Sequence, residues 1–198
     1  MDLFDSAATM TPIPVEDGEL SFLAQLALPI PNDEVLARLI AETAWRSDVI
    51  TLWGKRYPQP RLTAWHGEKT YSYSGLTLEP LPFTPLQREI LAAVEAATGW
   101  RFNSVLLNYY RDGRDSMGMH SDNEPELGPE PAIASLSFGA TRTFILQNKL
   151  NKLRLQLALS DGSLLLMAGR LQTNWSHGIN KSARLLGPRV NLTFRLIE

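Results

Sequence analysis

The second half of the chain consists of short segments in which apolar and polar residues alternate, and this pattern limits the fold more than any other feature of the sequence. Gly, Pro, Asn and Asp separate the segments, and we predict strands over 105–111, 132–138, 141–147, 153–159, 163–167 and 190–196. The first half has helical spacing instead. Helices followed by many short strands predict one α+β domain whose antiparallel sheets form a sandwich or an open barrel.

Two helices are predicted in the first half of the chain. The first runs from Asn32, as its N-cap, to about Trp45, because apolar residues recur there at helical spacing. The second begins after Thr84, which forms a capping box with Gln87, and it ends at Gly99. We expect both helices to support the sheets.

The charges are divided unevenly along the chain. Of the 21 acidic and 19 basic side chains, residues 1–50 hold nine acids and two bases, a net charge of −7, so residues 51–198 hold twelve acids and seventeen bases, a net charge of +5. We expect a poorly ordered acidic arm over residues 1–20 and a single domain over residues 21–198. The basic domain suits a polyanionic partner, although a solvated acidic arm beside an ordinary surface explains the same charges.

Two absences in the sequence narrow the class of protein. The chain has no cysteine, which excludes disulfides and thiolate metal sites. Its start lacks the features of a secretory signal, and its longest apolar run, Leu164 to Ala168, is far shorter than the roughly 20 residues of a membrane helix. We therefore expect a soluble protein without a membrane partner, cytoplasmic in a bacterium or nuclear in a eukaryote, and we expect it to be a monomer.

His120 and Asp122 are the first candidates for chemistry. Residues two apart in an extended segment project to the same face, so the imidazole and the carboxylate are able to converge on one ion. His177, later in the chain, would complete the facial set of two histidines and one carboxylate found in non-haem Fe(II) oxygenases. His-x-Asp alone is a weak signal, because an isolated histidine more often completes a hydrogen-bond network.

The last predicted strand carries an unusual polar face. Its apolar residues alternate with a row of four polar ones, Arg189, Asn191, Thr193 and Arg195. Such groups are costly to bury unless an anion pairs with them, and arginine binds carboxylates bidentately. Asn108 and Tyr110, also two apart, would add an amide and a phenol to the same pocket. The row predicts a small dicarboxylate ligand, although an edge strand with a solvated polar face would alternate in the same way.

The chain resembles the AlkB family of Fe(II)- and 2-oxoglutarate-dependent nucleic-acid dealkylases in His120-x-Asp122, His177, Arg189-x-Asn191-x-x-x-Arg195 and Asn108-Tyr-Tyr110. Further stretches are similar to the branch that contains the vertebrate nuclear DNA-repair members: Ser74-Gly-Leu-Thr-Leu, Ala134-Ser-Leu-Ser-Phe-Gly-Ala, Asp161-Gly-Ser-Leu-Leu-Leu-Met and Gly187-Pro-Arg-Val-Asn-Leu-Thr-Phe-Arg. The resemblance covers about residues 50–197.

The resemblance implies a double-stranded β-helix, or jelly roll, with supporting helices and an N-terminal nucleotide-recognition lid. It also implies Fe(II) held by His120, Asp122 and His177, with 2-oxoglutarate and O₂ as co-substrates. The residues that would bind 2-oxoglutarate are Arg195 and Asn191 near its keto acid end, Arg189, Asn108 and Tyr110 around its distal carboxylate, and Thr193 in the same polar row.

Residues 51–75 are the predicted nucleotide-recognition segment. Aromatic and basic residues are interleaved there, with Glu68 as the single acid up to residue 73, and this mixture suits stacking on bases beside phosphates. A tryptophan is nonetheless more often packed in a core. The resemblance implies substrate contacts from Trp53, as a finger that enters the base stack, Lys55, Arg61, Tyr71, Tyr73 and Glu124. Glu124 would favour a positively charged methylated base, although a solvated loop position is an equal alternative.

The function that the resemblance implies is oxidative demethylation of N1-methyladenine and N3-methylcytosine in DNA, with RNA as a further expected substrate. The reaction would be coupled to decarboxylation of 2-oxoglutarate to succinate and would release formaldehyde. Reaching a methyl group in a duplex would require the nucleotide to be flipped out of the stack. Two alternatives stay open: an oxygenase of the same fold that acts on a protein or a small molecule, and a non-catalytic jelly-roll binding module.

Overall fold

The computed structural model describes residues 9–47, 49–52, 55–73 and 76–198. In chain order the strands are β1 (Thr11–Pro12), β2 (Glu19–Leu23), β3 (Val49–Leu52), β4 (Lys55–Pro58), β5 (Leu62–Gly67), β6 (Tyr71–Tyr73), β7 (Leu76–Leu78), β8 (Ser104–Tyr110), β9 (Met117–His120), β10 (Ile133–Gly139), β11 (Arg142–Asn148), β12 (Arg154–Leu159), β13 (Leu164–Ala168), β14 (Trp175–Ile179) and β15 (Arg189–Arg195). The helices are α1 (Asn32–Glu42), α2 (Pro85–Thr98) and α3 (Leu171–Asn174), with a 3₁₀ turn over Pro125–Leu127. Within these ranges no helix combines the length and apolar character required to cross a bilayer.

Two antiparallel sheets dominate the described part of the chain. The larger has the strand order β1-β2-β13-β10-β15-β8-β5, and the smaller has the order β12-β11-β14-β9. Neighbouring strands are often distant in sequence, as β15 lies between β10 and β8. The hairpins β3–β4 and β6–β7 form separate two-stranded sheets. This architecture confirms the predicted jelly roll with supporting helices, whereas the nucleotide-recognition lid stays a prediction.

Successive side chains in the larger sheet point to opposite faces, and each face contributes to a different layer of the hydrophobic core. One face of the sheet packs against α1 and α2 through apolar side chains that include Leu39, Ile90, Val94, Leu136, Val190, Leu192 and Phe194. The other face meets the smaller sheet, and the layer between them includes Leu106, Ile133, Leu146, Leu165 and Trp175. Because successive side chains of a strand point to opposite faces, the polar row of β15 lies on this second face, between the two sheets.

The strands predicted from period-two alternation agree with β8, β10, β11, β12, β13 and β15 to within one residue at each end. The second predicted helix is also confirmed as α2. Thr84 Oγ1 accepts a hydrogen bond from the Gln87 main-chain N–H, and Gln87 Oε1 accepts one from the Thr84 main-chain N–H. Gly99 ends the helix with φ of 74°, a left-handed conformation that glycine adopts readily.

The first helix differs from its prediction at both ends. Asn32 is the first residue of α1, and Pro31 precedes it without a side-chain cap hydrogen bond. Asn32 Nδ2 instead donates to Asp161 Oδ2 at 3.1 Å, because the helix start packs against the turn that contains Asp161. The helix ends at Glu42 rather than near Trp45, since the backbone is already extended at Thr43.

The poorly ordered arm predicted over residues 1–20 is wrong for its second half. Residues 1–8 lie outside the described residues, but β1 pairs with β2, and β2 pairs with β13 in the larger sheet. Leu20 is 3% exposed, and Trp175 Nε1 donates to the Glu16 carbonyl at 2.8 Å. Acidic and small residues suggested disorder, whereas sheet pairing and burial of Leu20 decide the structure.

Candidate active site

A cavity lies between the two sheets, on the polar face of β15. Its volume is about 450 Å³ when the space at its open mouth is included. All nine residues predicted to bind iron or 2-oxoglutarate line this cavity, together with apolar side chains such as Leu106, Phe144 and Met167. The fold therefore brings two motifs that are far apart in sequence into one space.

Two strands of the smaller sheet bring His120 and His177 together. His120 ends β9, His177 lies in β14, and the two residues are paired in the ladder, with imidazole centres 4.4 Å apart. Asp122 follows β9, and its carboxylate oxygens lie 3.5 Å from His120 Nε2 and 4.0 Å from His177 Nε2. One ligand atom from each residue lies within 4.8 Å of the other two, so the three side chains are able to share one metal ion.

A main-chain carbonyl orients the ring of His120. Nδ1 lies 2.9 Å from the Gly118 carbonyl oxygen, and because a carbonyl only accepts hydrogen bonds, Nδ1 is the nitrogen that carries the proton. In the neutral imidazole Nε2 then has the lone pair, and this atom faces the carboxylate of Asp122. Metal-binding histidines usually have such a partner on the nitrogen that does not bind the metal.

Asp122 is buried and ionised. Its side chain is 6% exposed, and Arg195 Nη2 lies 3.1 Å from Oδ2. Burial by itself raises the pKa of a carboxyl, but the positive charge of Arg195 lowers it, and the pKa of Asp122 lies well below its ordinary value. The carboxylate is therefore negative at neutral pH, as a metal ligand must be.

His177 is buried and neutral. Burial, with a smaller effect from nearby His120, lowers the pKa of His177 to about 3. The ring of Phe144 stacks on the imidazole with its centre 5.2 Å away. A neutral imidazole keeps a lone pair for a metal, so the three residues offer two imidazoles and one carboxylate, the donor set that suits non-haem Fe(II).

The polar row of β15 is buried between β8 and β10, which excludes the solvated edge strand as an explanation. Each of its four residues is at most 7% exposed. Arg189 Nη2 donates to Ser137 Oγ at 2.9 Å, and Asn191 Nδ2 donates to Ser135 Oγ at 2.8 Å. Ser135 and Ser137 are not among the predicted site residues, although their alternation in Ala134-Ser-Leu-Ser marks the same face of β10.

Two nitrogen atoms of the Arg189 guanidinium have no hydrogen-bond acceptor among the described residues. The residue is 1% exposed, and no atom of the described residues accepts a hydrogen bond from Nε or Nη1. Burial lowers the pKa of Arg189 to about 10, so the guanidinium stays charged at neutral pH. Its central carbon lies 5.0 Å from the ring centre of Tyr110. A buried cation with unmatched N–H groups is costly unless an anion binds it, and a carboxylate of 2-oxoglutarate fits this requirement.

Arg195 lies at the other end of the polar row, beside the candidate metal ligands. In addition to its contact with Asp122, its Nη1 donates to the Thr193 carbonyl at 3.3 Å. Thr193 Oγ1 donates to Asn191 Oδ1 at 3.0 Å, so the contacts continue along the strand towards Arg189. A dicarboxylate that lies along this row would have one end near the metal and the other at Arg189.

Strand β8 supplies a second wall of the cavity. In its ladder with β15, Asn108 is paired with Asn191 and Tyr110 with Arg189. Arg61 is 4% exposed, and its Nε donates to Asn108 Oδ1 at 2.7 Å. Arg61 is predicted to lie around the substrate base, but its buried guanidinium lies against Asn108, which belongs to the predicted 2-oxoglutarate group.

The remaining predicted substrate residues have different positions. Glu124 directly precedes the 3₁₀ turn, is half-buried, and has an Oε2 atom that is buried without a hydrogen-bond partner in the described part of the chain. This environment differs from that of a solvated loop residue. Trp53 lies outside the described residues, Lys55 begins β4, and Tyr71 and Tyr73 lie on β6. Their roles stay predictions.

No motif in the sequence marks Gln172, which the structure places between two of the candidate metal ligands. Its Oε1 atom accepts a hydrogen bond from the Asp122 main-chain N–H at 3.0 Å and lies 3.2 Å from His177 Nε2. The residue belongs to the short helix α3 that leads into β14. The sequence relates Gln172 to the site only by its position five residues before His177.

Comparison with known proteins gives a family for this fold and site. The family model of the 2OG-Fe(II) oxygenase superfamily matches residues 20–195. Alpha-ketoglutarate-dependent dioxygenase alkB homolog 3 of Mus musculus is 43% identical over 175 residues, with 83% of this chain and 61% of that protein covered. DNA oxidative demethylase ALKBH2 of Homo sapiens is 39% identical over 178 residues, with 83% of this chain and 68% of that protein covered.

A solved structure titled "The structure of OsALKBH1" has a similar fold, with a TM-score of 0.65 and 17% identity, over 94% of this chain and 100% of that one. The chain spans about three fifths of the length of the alkB homolog 3 proteins that it matches.

The chain therefore belongs to the 2OG-Fe(II) oxygenase superfamily and, within it, to the AlkB family. The resemblance found in the sequence is confirmed, and the family carries with it Fe(II) and 2-oxoglutarate as cofactor and co-substrate. The donor set of His120, Asp122 and His177 and the unmatched N–H groups of Arg189 are compatible with both.

Replacing Arg189 tests the 2-oxoglutarate pocket. Arg189→Ala is expected to weaken 2-oxoglutarate binding by about 2 to 5 kcal/mol, because a carboxylate would lose its buried cationic partner. This corresponds to a Kd at least about 30-fold higher, measured by calorimetry with the Mn(II)-loaded protein. Arg154→Ala, on the exposed face of β12, is the control and is expected to change little. Equal affinities of wild type and Arg189→Ala would refute the pocket.

Proposed function

We propose that this chain is an Fe(II)- and 2-oxoglutarate-dependent demethylase that acts on N1-methyladenine and N3-methylcytosine in DNA, with RNA as a further substrate. The observation that carries the proposal is a single cavity that joins His120, Asp122 and His177 to the buried polar row of β15. The names of the relatives, dioxygenase and DNA oxidative demethylase, support the same reaction.

His120, Asp122 and His177 are the proposed iron ligands. These three side chains would hold the iron and leave its remaining coordination positions for a co-substrate and oxygen. When bound, iron, 2-oxoglutarate and O₂ supply the oxidising chemistry that hydroxylates an N-methyl carbon, so that formaldehyde, succinate and the unmethylated base are the products. The chain itself orients the ligands: Arg195 keeps Asp122 ionised, and Phe144 packs against the imidazole of His177.

2-Oxoglutarate is proposed to lie along β15. The unmatched N–H groups of Arg189 would bind its distal carboxylate, with Tyr110 and Asn108 beside it. Its keto acid end would lie near Arg195, Asn191 and Thr193, at the end of the row that contacts Asp122. The apolar side chains Leu106, Phe144 and Met167 border the same cavity and would limit the access of water to it.

A nucleic-acid substrate is supported by charge and by the relatives' names. The net charge of +5 over residues 51–198, which follows from seventeen basic and twelve acidic side chains, suits a polyanion. Lys181 and Arg184 are exposed in the loop that follows β14, the strand of His177. In the segment 51–75, Trp53, Lys55, Tyr71 and Tyr73 would add stacking and phosphate contacts.

Glu124 is proposed to select the damaged base. It follows Asp122 by two residues, and its Oε2 atom is buried with no hydrogen-bond partner among the described residues. N1-methyladenine and N3-methylcytosine are cationic, so a carboxylate would attract them more strongly than normal bases. Arg61, which donates a hydrogen bond to Asn108, would contact the base from the side of the 2-oxoglutarate pocket.

We also propose where the chain acts and in which assembly state. A demethylase of nucleic acid must reach its polymer, so we expect the chain to act in the cytoplasm of a bacterium or in the nucleus of a eukaryote. We also expect it to act as a monomer.

A defined-lesion assay tests the proposed reaction. The protein is incubated with oligonucleotides that carry one N1-methyladenine or one N3-methylcytosine, in DNA or RNA, with Fe(II), ascorbate and 2-oxoglutarate. Loss of the methyl group is followed by mass spectrometry, and succinate is measured in parallel. We expect demethylation with equimolar succinate in the wild type and no detectable demethylation in His120→Ala, which removes a proposed iron ligand.

His66→Asn is the control for the loss of a histidine. His66 is buried in β5, with Nδ1 2.8 Å from the Pro82 carbonyl, and the asparagine amide is able to keep this contact. We expect this variant to retain activity. Wild-type protein that forms no succinate with any methylated oligonucleotide would contradict the proposed substrate, whereas equal activity in His120→Ala would contradict the iron site.

Replacing Glu124 tests base selection. Glu124→Gln keeps the shape of the side chain but removes its charge, so kcat/KM for cationic N3-methylcytosine should fall roughly tenfold relative to neutral N3-methylthymine. Glu126→Gln, two residues further on, is the matched control and should leave the ratio unchanged. An unchanged ratio in Glu124→Gln would count against electrostatic selection by this residue.

A further inference from the structure

Gln172 is a buried polar residue that the proposed reaction does not use directly. It is 1% exposed and lies in α3, just before the strand that carries His177. Its Oε1 atom accepts from the Asp122 main-chain N–H at 3.0 Å and lies 3.2 Å from His177 Nε2. A single carboxamide oxygen therefore contacts two of the three candidate iron ligands.

The orientation of this amide is determined by its neighbours. The Asp122 main-chain N–H is a donor only, so the Gln172 atom that faces it must be the oxygen. The Nε2 atom then lies 3.6 Å from the sulfur of Met167, which is a weak acceptor. A flipped amide would place two donors against each other, so Gln172 has one favourable arrangement.

The sheet does not by itself hold Asp122 in place relative to His177. Strand β9 ends at His120, so Asp122 lies outside the ladder, and the pairing of β9 with β14 is irregular between His177 and Ile179. Two side-chain contacts bridge the gap: the Gln172 bond to the Asp122 main chain, and a 2.8 Å hydrogen bond from Ser121 Oγ to the Trp175 carbonyl. The turn after β9 is thereby attached to the segment that contains α3 and the start of β14.

From this geometry we infer that Gln172 is a positioning residue for the metal site, because its side-chain oxygen holds the main chain of Asp122 beside His177. The inference rests on the iron site proposed above, and it adds a residue that would determine how tightly this site binds its metal ion. Gln172 acts through Asp122. Partners that orient metal ligands typically change metal affinity 10- to 100-fold when they are removed.

The test measures metal binding without turnover. Mn(II), which resists air oxidation, is titrated into wild type and Gln172→Leu by calorimetry, and we expect the variant to have a Kd roughly 10 to 100 times higher. Gln87→Leu is the matched control, because Gln87 is also 1% exposed but belongs to the capping box of α2. We expect its Kd to stay within about twofold of the wild-type value, since general loss of stability does not displace the ligands.

A second readout reports on the hydrogen bond itself. In Gln172→Leu the Asp122 amide should exchange with solvent faster than in wild type, as measured by NMR, because its acceptor is gone. If Gln172→Leu does not fold, Gln172→Asn serves instead, since it withdraws the oxygen by one carbon and should also raise the Kd.

Three outcomes separate the possibilities. A folded Gln172→Leu or Gln172→Asn that binds Mn(II) as tightly as wild type would overturn the role of Gln172 and leave the iron site standing. An equal loss of affinity in Gln87→Leu would also overturn it, because the effect would then not be specific to the site. Wild-type protein that binds no Mn(II) would instead overturn the metal site on which the inference rests.

Discussion

The contact between Arg195 and Asp122 is the interaction on which the rest of the site depends. Arg195 ends β15 in the larger sheet, Asp122 follows β9 of the smaller sheet, and their 3.1 Å contact joins the polar row to the metal-ligand turn. Both residues are buried, so removing either would leave an uncompensated charge in the interior. The same guanidinium favours the ionised carboxylate that a metal requires, which links the packing of the two sheets to the chemistry between them.

A second constraint is the balance of buried charge around this contact. Among the described residues, four buried arginines face two buried aspartates: Arg61, Arg142, Arg189 and Arg195 against Asp115 and Asp122. Arg142 is matched by the main-chain carbonyls of Asp115 and Asn180, at 2.8 and 2.7 Å, and Asp115 pairs with the more exposed Arg111. The remaining positive charge lies near Arg189, where a dicarboxylate would offset it. The charge of the cavity is thus suited to a dicarboxylate.

Local patterns in the sequence predicted most of the sheets and one helix, because alternation in β15 and the capping box of α2 are short-range signals. They did not predict β9 and β14, the strands of His120 and His177, since Met-Gly-Met-His and Trp-Ser-His-Gly-Ile are short and contain glycine, which weakens a strand signal. The metal-ligand set was proposed from residue types and family motifs, but the contacts of Gln172, Ser135 and Ser137 depend on which strands become neighbours. The contact of Arg61 is also not predictable from local sequence, because its hydrogen-bond partner Asn108 becomes a neighbour only when β5 pairs with β8.

The most direct measurement of the central claim is an anaerobic titration of the protein with Fe(II) in the presence of 2-oxoglutarate, followed by visible absorption. If one iron ion is bound beside the keto acid, a charge-transfer band should grow and saturate at one equivalent of Fe(II), and it should be absent in a folded Asp122→Ala variant, which lacks the carboxylate ligand. A wild-type protein that develops no band, or an Asp122→Ala variant whose band equals that of wild type, would contradict the account.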